Sequence, residues 1–130
     1  QKIISAVRNI AAGNNETLFL GNMDISRDWG WAPEYVEAMW LMLQNKTPEN
    51  FVLATGESNS LENFVDLAFK HADLDWNDHV EITDTFKRPS DIKLSCANPS
   101  KAADKLGWTA KYRLSDIIAE MLRPEFGVID

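Results

Sequence analysis

Residues 27–45 read RDWGWAPEYVEAMWLMLQN, a charged, tryptophan-rich turn that leads into a strongly apolar segment. Pro33 suits the first turn of a helix, where no amide hydrogen is needed, so the segment predicts a helix from Pro33 to about Asn45. Apolar residues lie on most sides of this helix, and we therefore expect it to be largely buried. These residues are Val36, Ala38, Met39, Trp40, Leu41, Met42 and Leu43.

Around this segment, the spacing of apolar residues predicts four more helices and three short strands. No repeat, low-complexity stretch or linker interrupts the pattern. The sequence therefore predicts an α+β fold, a single domain over residues 1–130 in which helices carry most of the core. The further helices are residues 2–12, residues 61–72 with Ser60 as N-cap, a short helix that starts at Asn98-Pro99 and stops at Gly107, and residues 114–122; the strands are residues 18–20, 51–54 and 79–82.

Composition limits the class of protein. The chain has 130 residues, 45% hydrophobic and 25% charged, which is typical of a soluble globular domain. Its longest apolar run, Ala38 to Leu43, is far shorter than the roughly 18 residues of a membrane span, so we expect no membrane contact. Nothing at the start has the pattern of a signal peptide. Cys96 is the only cysteine, which excludes an internal disulfide and a cysteine-clustered zinc site, and we expect a cytoplasmic protein without a metal.

The distribution of charge is uneven. A net charge of −7 disfavours a nucleic-acid-binding surface. Residues 86–113, however, contain seven basic and only two acidic residues. A few arginines inside this otherwise acidic protein could hold an anionic small molecule, or the lysines of the segment could simply form a solvated helix face.

Several catalytic motifs are missing from the sequence. The six glycines are scattered singly, so no Gly-x-Gly-x-x-Gly or Walker-type loop is present. Neither tyrosine is followed four residues later by lysine, and no Gly-x-Ser-x-Gly surrounds a serine. His71 and His79 lack ligand spacing. We therefore expect no catalytic residue in this chain.

Two loops carry the candidate binding residues. Arg27 could offer its planar fork of donors to a phosphate, or it could pair with Asp28 or stack on a neighbouring indole. In the stretch from Lys87 to Asp91, Arg88 suits phosphate oxygens and Asp91 suits sugar hydroxyls, as a nucleotide-sugar requires. A plain ion pair between Arg88 and Asp91 is the alternative. The residues alone leave both choices open.

Residues 27–30, followed by residues 34–40, resemble the stretch ahead of the central helix in GDP-mannose 4,6-dehydratases. The order and spacing of the shared motifs hold from Lys2 to about Met121. Arg-Asp-Trp and Leu-Gly-Trp occur in many extended short-chain dehydrogenase relatives that act on nucleotide-sugars, whereas the continuous run over residues 27–40 is specific to the GDP-mannose family. The other similar segments are Lys2-Ile3, residues 54–57 before the Ser60 cap, residues 88–91, residues 98–102 and residues 106–108.

The resemblance implies that the chain is the small carboxyl-terminal, substrate-binding domain of an extended short-chain dehydrogenase, without the Rossmann half. In the family that other half binds NADP and supplies the catalytic Thr, Glu, Tyr and Lys, none of which maps here. The substrate contacts that map are Lys2 toward the nucleotide, Arg27 toward the nucleotide and diphosphate, and Arg88 with Asp91 at the ribose and diphosphate. Asp91 stands where the family usually has Glu, so its contact with a ribose hydroxyl would need a water. Trp31 replaces the usual His.

For the complete protein the resemblance implies a homo-oligomeric, NADP-dependent lyase. It would convert GDP-mannose to GDP-4-dehydro-6-deoxymannose, a precursor of fucose- and rhamnose-type sugars, and we expect the isolated chain to be inactive. Two alternatives are the same domain of another nucleotide-sugar epimerase, dehydratase or reductase, and a non-catalytic binding module. An exposed apolar patch at the place of the Rossmann half would oppose the module.

Overall fold

The computed structural model describes residues 1–86 and 92–124. Within them the chain forms five α-helices and four short strands, which confirms the predicted α+β composition. Two single 3-10 turns, Trp76–Asp78 and Asp84–Phe86, flank the last strand. The elements in chain order are α1 Lys2–Ala11, β1 Leu18–Leu20, β2 Ser26–Arg27, α2 Ala32–Leu43, β3 Asn59–Ser60, α3 Leu61–Lys70, β4 Val80–Ile82, α4 Ser100–Leu106 and α5 Leu114–Leu122.

The strands form two small ladders. β1 and β4 are parallel, with Leu18 opposite Val80, and β2 and β3 are antiparallel, with Arg27 opposite Asn59. Ser26 also forms a bridge to Leu94. Each ladder is only two or three residues long, so side-chain contacts must supply much of its stability.

The main core lies between α1, α3 and α5. Val7, Val65, Phe69 and Ile118 are fully buried there, because each helix carries one apolar stripe at helical spacing. The predicted N-cap of α3 is confirmed, since the Ser60 hydroxyl accepts a hydrogen bond from the Asn63 amide at 3.0 Å.

A second, smaller core joins α2 to α4. It consists of Ala38, Ala102, Trp108 and Ala110. α4 begins one residue later than predicted, with Pro99 as its N-cap, and it ends at Gly107 in the left-handed conformation that glycine adopts without strain.

The prediction that α2 is largely buried is wrong. Its only buried residues are Glu34 and Ala38. Four large apolar side chains at helical spacing remain exposed, from 54% for Met39 to 81% for Leu43. Composition alone suggested a helix buried on all sides, but only one stripe of α2 meets the second core, and no described residue covers the opposite stripe. We call that stripe, Val36, Met39, Trp40 and Leu43, the α2 apolar face.

The predicted strand over residues 51–54 is also wrong for the described part of the chain, where this segment pairs with no other strand. Ala54 is buried while Val52 is half exposed. An apolar run becomes a strand only when a neighbouring backbone accepts its hydrogen bonds, and none does so here. β2 and β3 were not predicted, because two residues are too few to show a periodic pattern.

Among the described residues, no helix is long and apolar enough to cross a membrane. The same part of the chain contains no group of three or more His, Cys, Asp or Glu side chains that could hold a metal ion.

Candidate functional site

Arg27 is half buried in β2 and makes neither of the local contacts considered from the sequence. Its Nη1 donates hydrogen bonds to the carbonyl oxygens of Ser26, at 2.9 Å, and Ile92, at 2.5 Å. The ion pairs and cation–π contacts within residues 1–86 and 92–124 do not include Arg27. Among the described residues, these carbonyl oxygens hold the guanidinium in place without neutralising its positive charge.

Arg88 and Asp91 lie outside the described residues, and their predicted roles stay predictions. The chain that follows them is anchored beside Arg27. The Ser26 amide donates to the Lys93 carbonyl at 2.7 Å, and the Ser95 amide donates to the Ser26 carbonyl at 3.0 Å. Arg27 itself is hydrogen-bonded to Ile92, the residue that directly follows Asp91.

Lys2 lies at the other end of the same segment. Its ammonium group donates to the Phe19 carbonyl oxygen at 2.7 Å and lies over the Phe86 ring, 4.4 Å from the centroid. Phe86 directly precedes Lys87 in the chain. The two predicted site residues that the structure describes thus lie at the two ends of residues 87–91, the segment that carries the other two.

A cavity of about 310 Å³ opens beside Lys2. Its lining is mainly apolar, with Lys2 as the charged group, and includes Trp29 and Gly30 directly after Arg27-Asp28. An apolar cleft with few polar groups is the usual form of a small-molecule site, and this volume suits a part of a ligand rather than a whole nucleotide-sugar.

Asp28 has a role that the sequence analysis missed. Its Oδ1 accepts hydrogen bonds from the Thr55 amide at 3.0 Å and the Thr55 hydroxyl at 2.7 Å, and its Oδ2 accepts one from the Gly56 amide at 2.9 Å. The carboxylate therefore ties the turn after β2 to a loop 27 and 28 residues further along. The separate motifs around Asp28 and Thr55 were visible in the sequence, but their contact was not.

Glu34 is the second residue that the sequence analysis missed. It is 8% exposed, and its carboxylate accepts hydrogen bonds from the backbone amides of Lys111, at 2.8 Å, and Tyr112, at 3.2 Å. Its own carbonyl accepts from the Trp108 indole at 3.1 Å. The Trp31 ring stacks on Tyr112, with centroids 5.8 Å apart. Glu34 thus holds the 108–112 segment against the start of α2. The sequence analysis missed this role because it treated the helix as apolar, and no local pattern indicates a contact with residues 108–112.

Gly30 lies directly against the outer end of the Tyr35 side chain. A Cβ at position 30 would lie 2.0 Å from the Tyr35 hydroxyl oxygen, a distance at which something must shift. Burial, and then the negative charges of Asp28 and Glu34, raise the pKa of Tyr35 above its ordinary value.

A second cavity, of about 560 Å³, contains Arg8, His71 and Arg123 but is a less convincing ligand site. Arg8 donates to the carbonyl oxygens of Met121, at 2.5 Å, and Arg123, at 2.8 Å. The C-terminal ends of α1, α3 and α5 meet here, and cations stabilise such ends by bonding to their free carbonyls. A structural role therefore explains the charge of Arg8.

Comparison with known proteins gives one family. The family model described as GDP-mannose 4,6 dehydratase matches residues 1–121. GDP-mannose 4,6 dehydratase 1 of Arabidopsis thaliana is 43% identical over 122 residues, which cover 94% of this chain and 34% of that protein. The human GDP-mannose 4,6 dehydratase is 36% identical over 142 aligned residues, covering 96% of this chain and 38% of that protein. The chain therefore spans little more than a third of the length of these relatives.

Solved structures with the same fold include several enzymes of nucleotide-sugars. RMD from Pseudomonas aeruginosa, complexed with NADPH, has a TM-score of 0.78 at 18% identity and covers 94% of this chain and 41% of that one. The dTDP-glucose 4,6-dehydratase of Bacillus anthracis, in complex with NAD, also has a TM-score of 0.78, at 16% identity over 94% of this chain and 38% of that one. At these identities the likeness shows the fold alone.

Proposed function

The chain belongs to the GDP-mannose 4,6-dehydratase family, and from that premise we propose that it is the carboxyl-terminal, GDP-sugar-binding part of a longer enzyme. The longer protein converts GDP-mannose to GDP-4-dehydro-6-deoxymannose with loss of one water. The observation that carries the proposal is the placement of Lys2 and Arg27 at the two ends of the segment with Arg88 and Asp91.

The role of this chain is to bind and orient the substrate. Arg27, whose charge faces only carbonyl oxygens among its described contacts, binds the diphosphate, and Lys2 binds the nucleotide. Arg88 and Asp91 complete the site at the diphosphate and ribose. Holding a substrate in one orientation removes much of the entropic cost of the reaction that follows.

The NADP cofactor that the family implies does not fit the residues of this chain. The glycines are single, so no loop can bring several backbone amides to a pyrophosphate at a helix start, and no Tyr-x-x-x-Lys is present. We assign the cofactor and the catalytic residues to an amino-terminal Rossmann half, within the roughly two thirds of the relatives' length that lies outside the match.

The α2 apolar face supports this assignment. Four large apolar side chains on one stripe of a helix are unusual on the surface of a self-sufficient domain. We propose that the Rossmann half covers them, together with the half-exposed Val52 in the unpaired 51–54 segment. A stand-alone binding module has no reason to keep such a face, so the family enzyme is the better explanation.

Another nucleotide-sugar enzyme is the alternative function. Proteins of the same fold act on other nucleotides, as the dTDP-glucose 4,6-dehydratase shows. Relatives at 34–43% identity are GDP-mannose enzymes, which favours GDP-mannose as the substrate. We further propose a cytoplasmic, metal-free protein, which the single, exposed Cys96 supports within this chain. That the longer protein is a homo-oligomer is proposed from the family resemblance alone.

The test is a product assay on the longer protein. With GDP-mannose and NADP, mass spectrometry should find a product one water lighter than the substrate, and UDP- or dTDP-hexoses should not be converted. The Arg27→Ala variant should bind GDP much more weakly, whereas the control Lys70→Ala, which removes an exposed ion pair with Asp66, should bind it normally. Turnover of UDP- or dTDP-hexoses but not GDP-mannose would favour the alternative, and turnover by the 130-residue chain alone would contradict the proposed division of roles.

A further inference from the structure

Asp28 stands next to Arg27 but directs its carboxylate away from it. Both carboxylate oxygens accept hydrogen bonds from the Thr55-Gly56 turn, at 2.7 to 3.0 Å. Gly56 has φ of +78°, a conformation that glycine adopts without strain and that other residues rarely adopt. The turn is thus shaped to present two successive amides to one carboxylate.

Short contacts on both sides fix the backbone at Arg27. On one side, the Ser26 amide donates to the Lys93 carbonyl and the Ser95 amide donates to the Ser26 carbonyl. β2 is two residues long and pairs with two residues of β3, Asn59 and Ser60. The Thr55-Gly56 turn comes three residues before β3, so the Asp28 carboxylate adds a second connection between the same two stretches of chain. A strand pair this short is marginal by itself, and three hydrogen bonds to a charged acceptor are a large addition to it.

The same hydrogen bonds make Asp28 unsuited to touch the substrate. Its oxygens are already occupied by protein donors, and its negative charge would repel a diphosphate. The two residues that follow Asp28, Trp29 and Gly30, line the 310 Å³ cavity.

We propose that Asp28 is a positioning residue, which holds Arg27 in the orientation that binds the diphosphate by fixing the chain to the Thr55-Gly56 turn. This inference rests on the proposed function of Arg27. Thr55 is the main partner of Asp28 in this role, since its amide and hydroxyl donate two of the three hydrogen bonds.

A double-mutant cycle on the longer protein tests the inference, with GDP as the probe in calorimetric titrations at saturating NADP. Asp28→Asn should weaken GDP binding about tenfold, since the amide cannot accept all three hydrogen bonds. Thr55→Val, which removes only the hydroxyl, should weaken it by roughly threefold. In an Arg27→Ala background, neither change should weaken GDP binding further by more than about twofold, because a residue that acts through Arg27 has nothing left to position.

The controls separate positioning from folding. Asp66→Asn removes a carboxylate of an exposed i,i+4 ion pair and should leave GDP binding unchanged. If Asp28→Asn lowers the melting temperature below the range of the titration, the Thr55→Val cycle gives the answer. The positioning role is overturned if the losses from Asp28 and Arg27 variants simply add, or if Asp28→Asn binds GDP normally. If instead Arg27→Ala alone binds GDP as tightly as the unaltered protein, the proposed function of Arg27 is what fails.

Discussion

Replacing Glu34 with glutamine removes one oxygen from a buried carboxylate that accepts two backbone hydrogen bonds. In the unaltered protein one oxygen faces the Lys111 amide at 2.8 Å and the other faces the Tyr112 amide at 3.2 Å. Glutamine keeps the shape and one acceptor, but its NH₂ group then points at an N–H group. The bond from the Trp108 indole to the Glu34 carbonyl does not depend on the side chain and should survive.

The expected loss follows from these contacts. A hydrogen bond to a charged group contributes about 1.5–3 kcal/mol, and a buried donor without a partner costs a similar amount. We expect Glu34→Gln to lower the free energy of unfolding by about 2–3 kcal/mol. With an unfolding entropy of about 2.1 cal/mol/K per residue, this corresponds to a fall of roughly 7–11 °C in melting temperature for a chain of this length.

Differential scanning calorimetry of the 130-residue chain measures this effect. Glu37→Gln is the matched control, because it removes the same charge from an exposed position three residues further along α2 and should change the melting temperature very little. If both variants melt at the same temperature, the Glu34 carboxylate does not hold the 108–112 segment and our account of the second core is wrong.

Three further predictions concern residues near Glu34. Gly30→Ala should lower the free energy of unfolding, measured by urea denaturation, by about 1–3 kcal/mol, because the new Cβ would overlap the Tyr35 ring. Unchanged stability would mean that the ring moves aside freely. In a Tyr112→Phe variant, absorbance should show Tyr35 ionising above the ordinary tyrosine pKa. The free energy of unfolding should fall as the pH rises through that raised pKa, because the unfolded chain releases the proton first. Ionisation at the ordinary value would contradict the burial of this hydroxyl. In the 130-residue chain, where no Rossmann half covers the α2 apolar face, we expect copies to associate through it. Trp40→Glu should reduce this self-association in sedimentation while changing the free energy of unfolding by no more than about 0.5 kcal/mol; a larger loss would mean that the α2 apolar face is packed within the chain.

Local patterns predicted the elements that are stabilised by their own sequence. The amphipathic stripes of α1, α3 and α5, the Ser60 cap and the glycine end of α4 were all correct, because periodicity and capping depend on residues within a few positions of one another. The strand predicted over residues 18–20 was likewise correct and is β1.

The sequence could not show what depends on distant partners. The hydrogen bonds of Asp28 and Glu34 span 27 to 78 residues, and no local pattern encodes them. The apolar composition of α2 indicated wrongly that the helix is buried on most sides within the described chain. The strand predicted over residues 51–54 was wrong for the same reason, since a strand forms only by pairing with a second strand.

Sequencing the source DNA upstream of the Gln1 codon tests the central claim most directly. The account predicts an in-frame coding region, about twice as long as this chain, with a glycine-rich loop after its first strand and a Tyr-x-x-x-Lys motif. A start codon at or just before Gln1, with no such region, would contradict the claim that this chain is the substrate-binding part of a GDP-mannose 4,6-dehydratase.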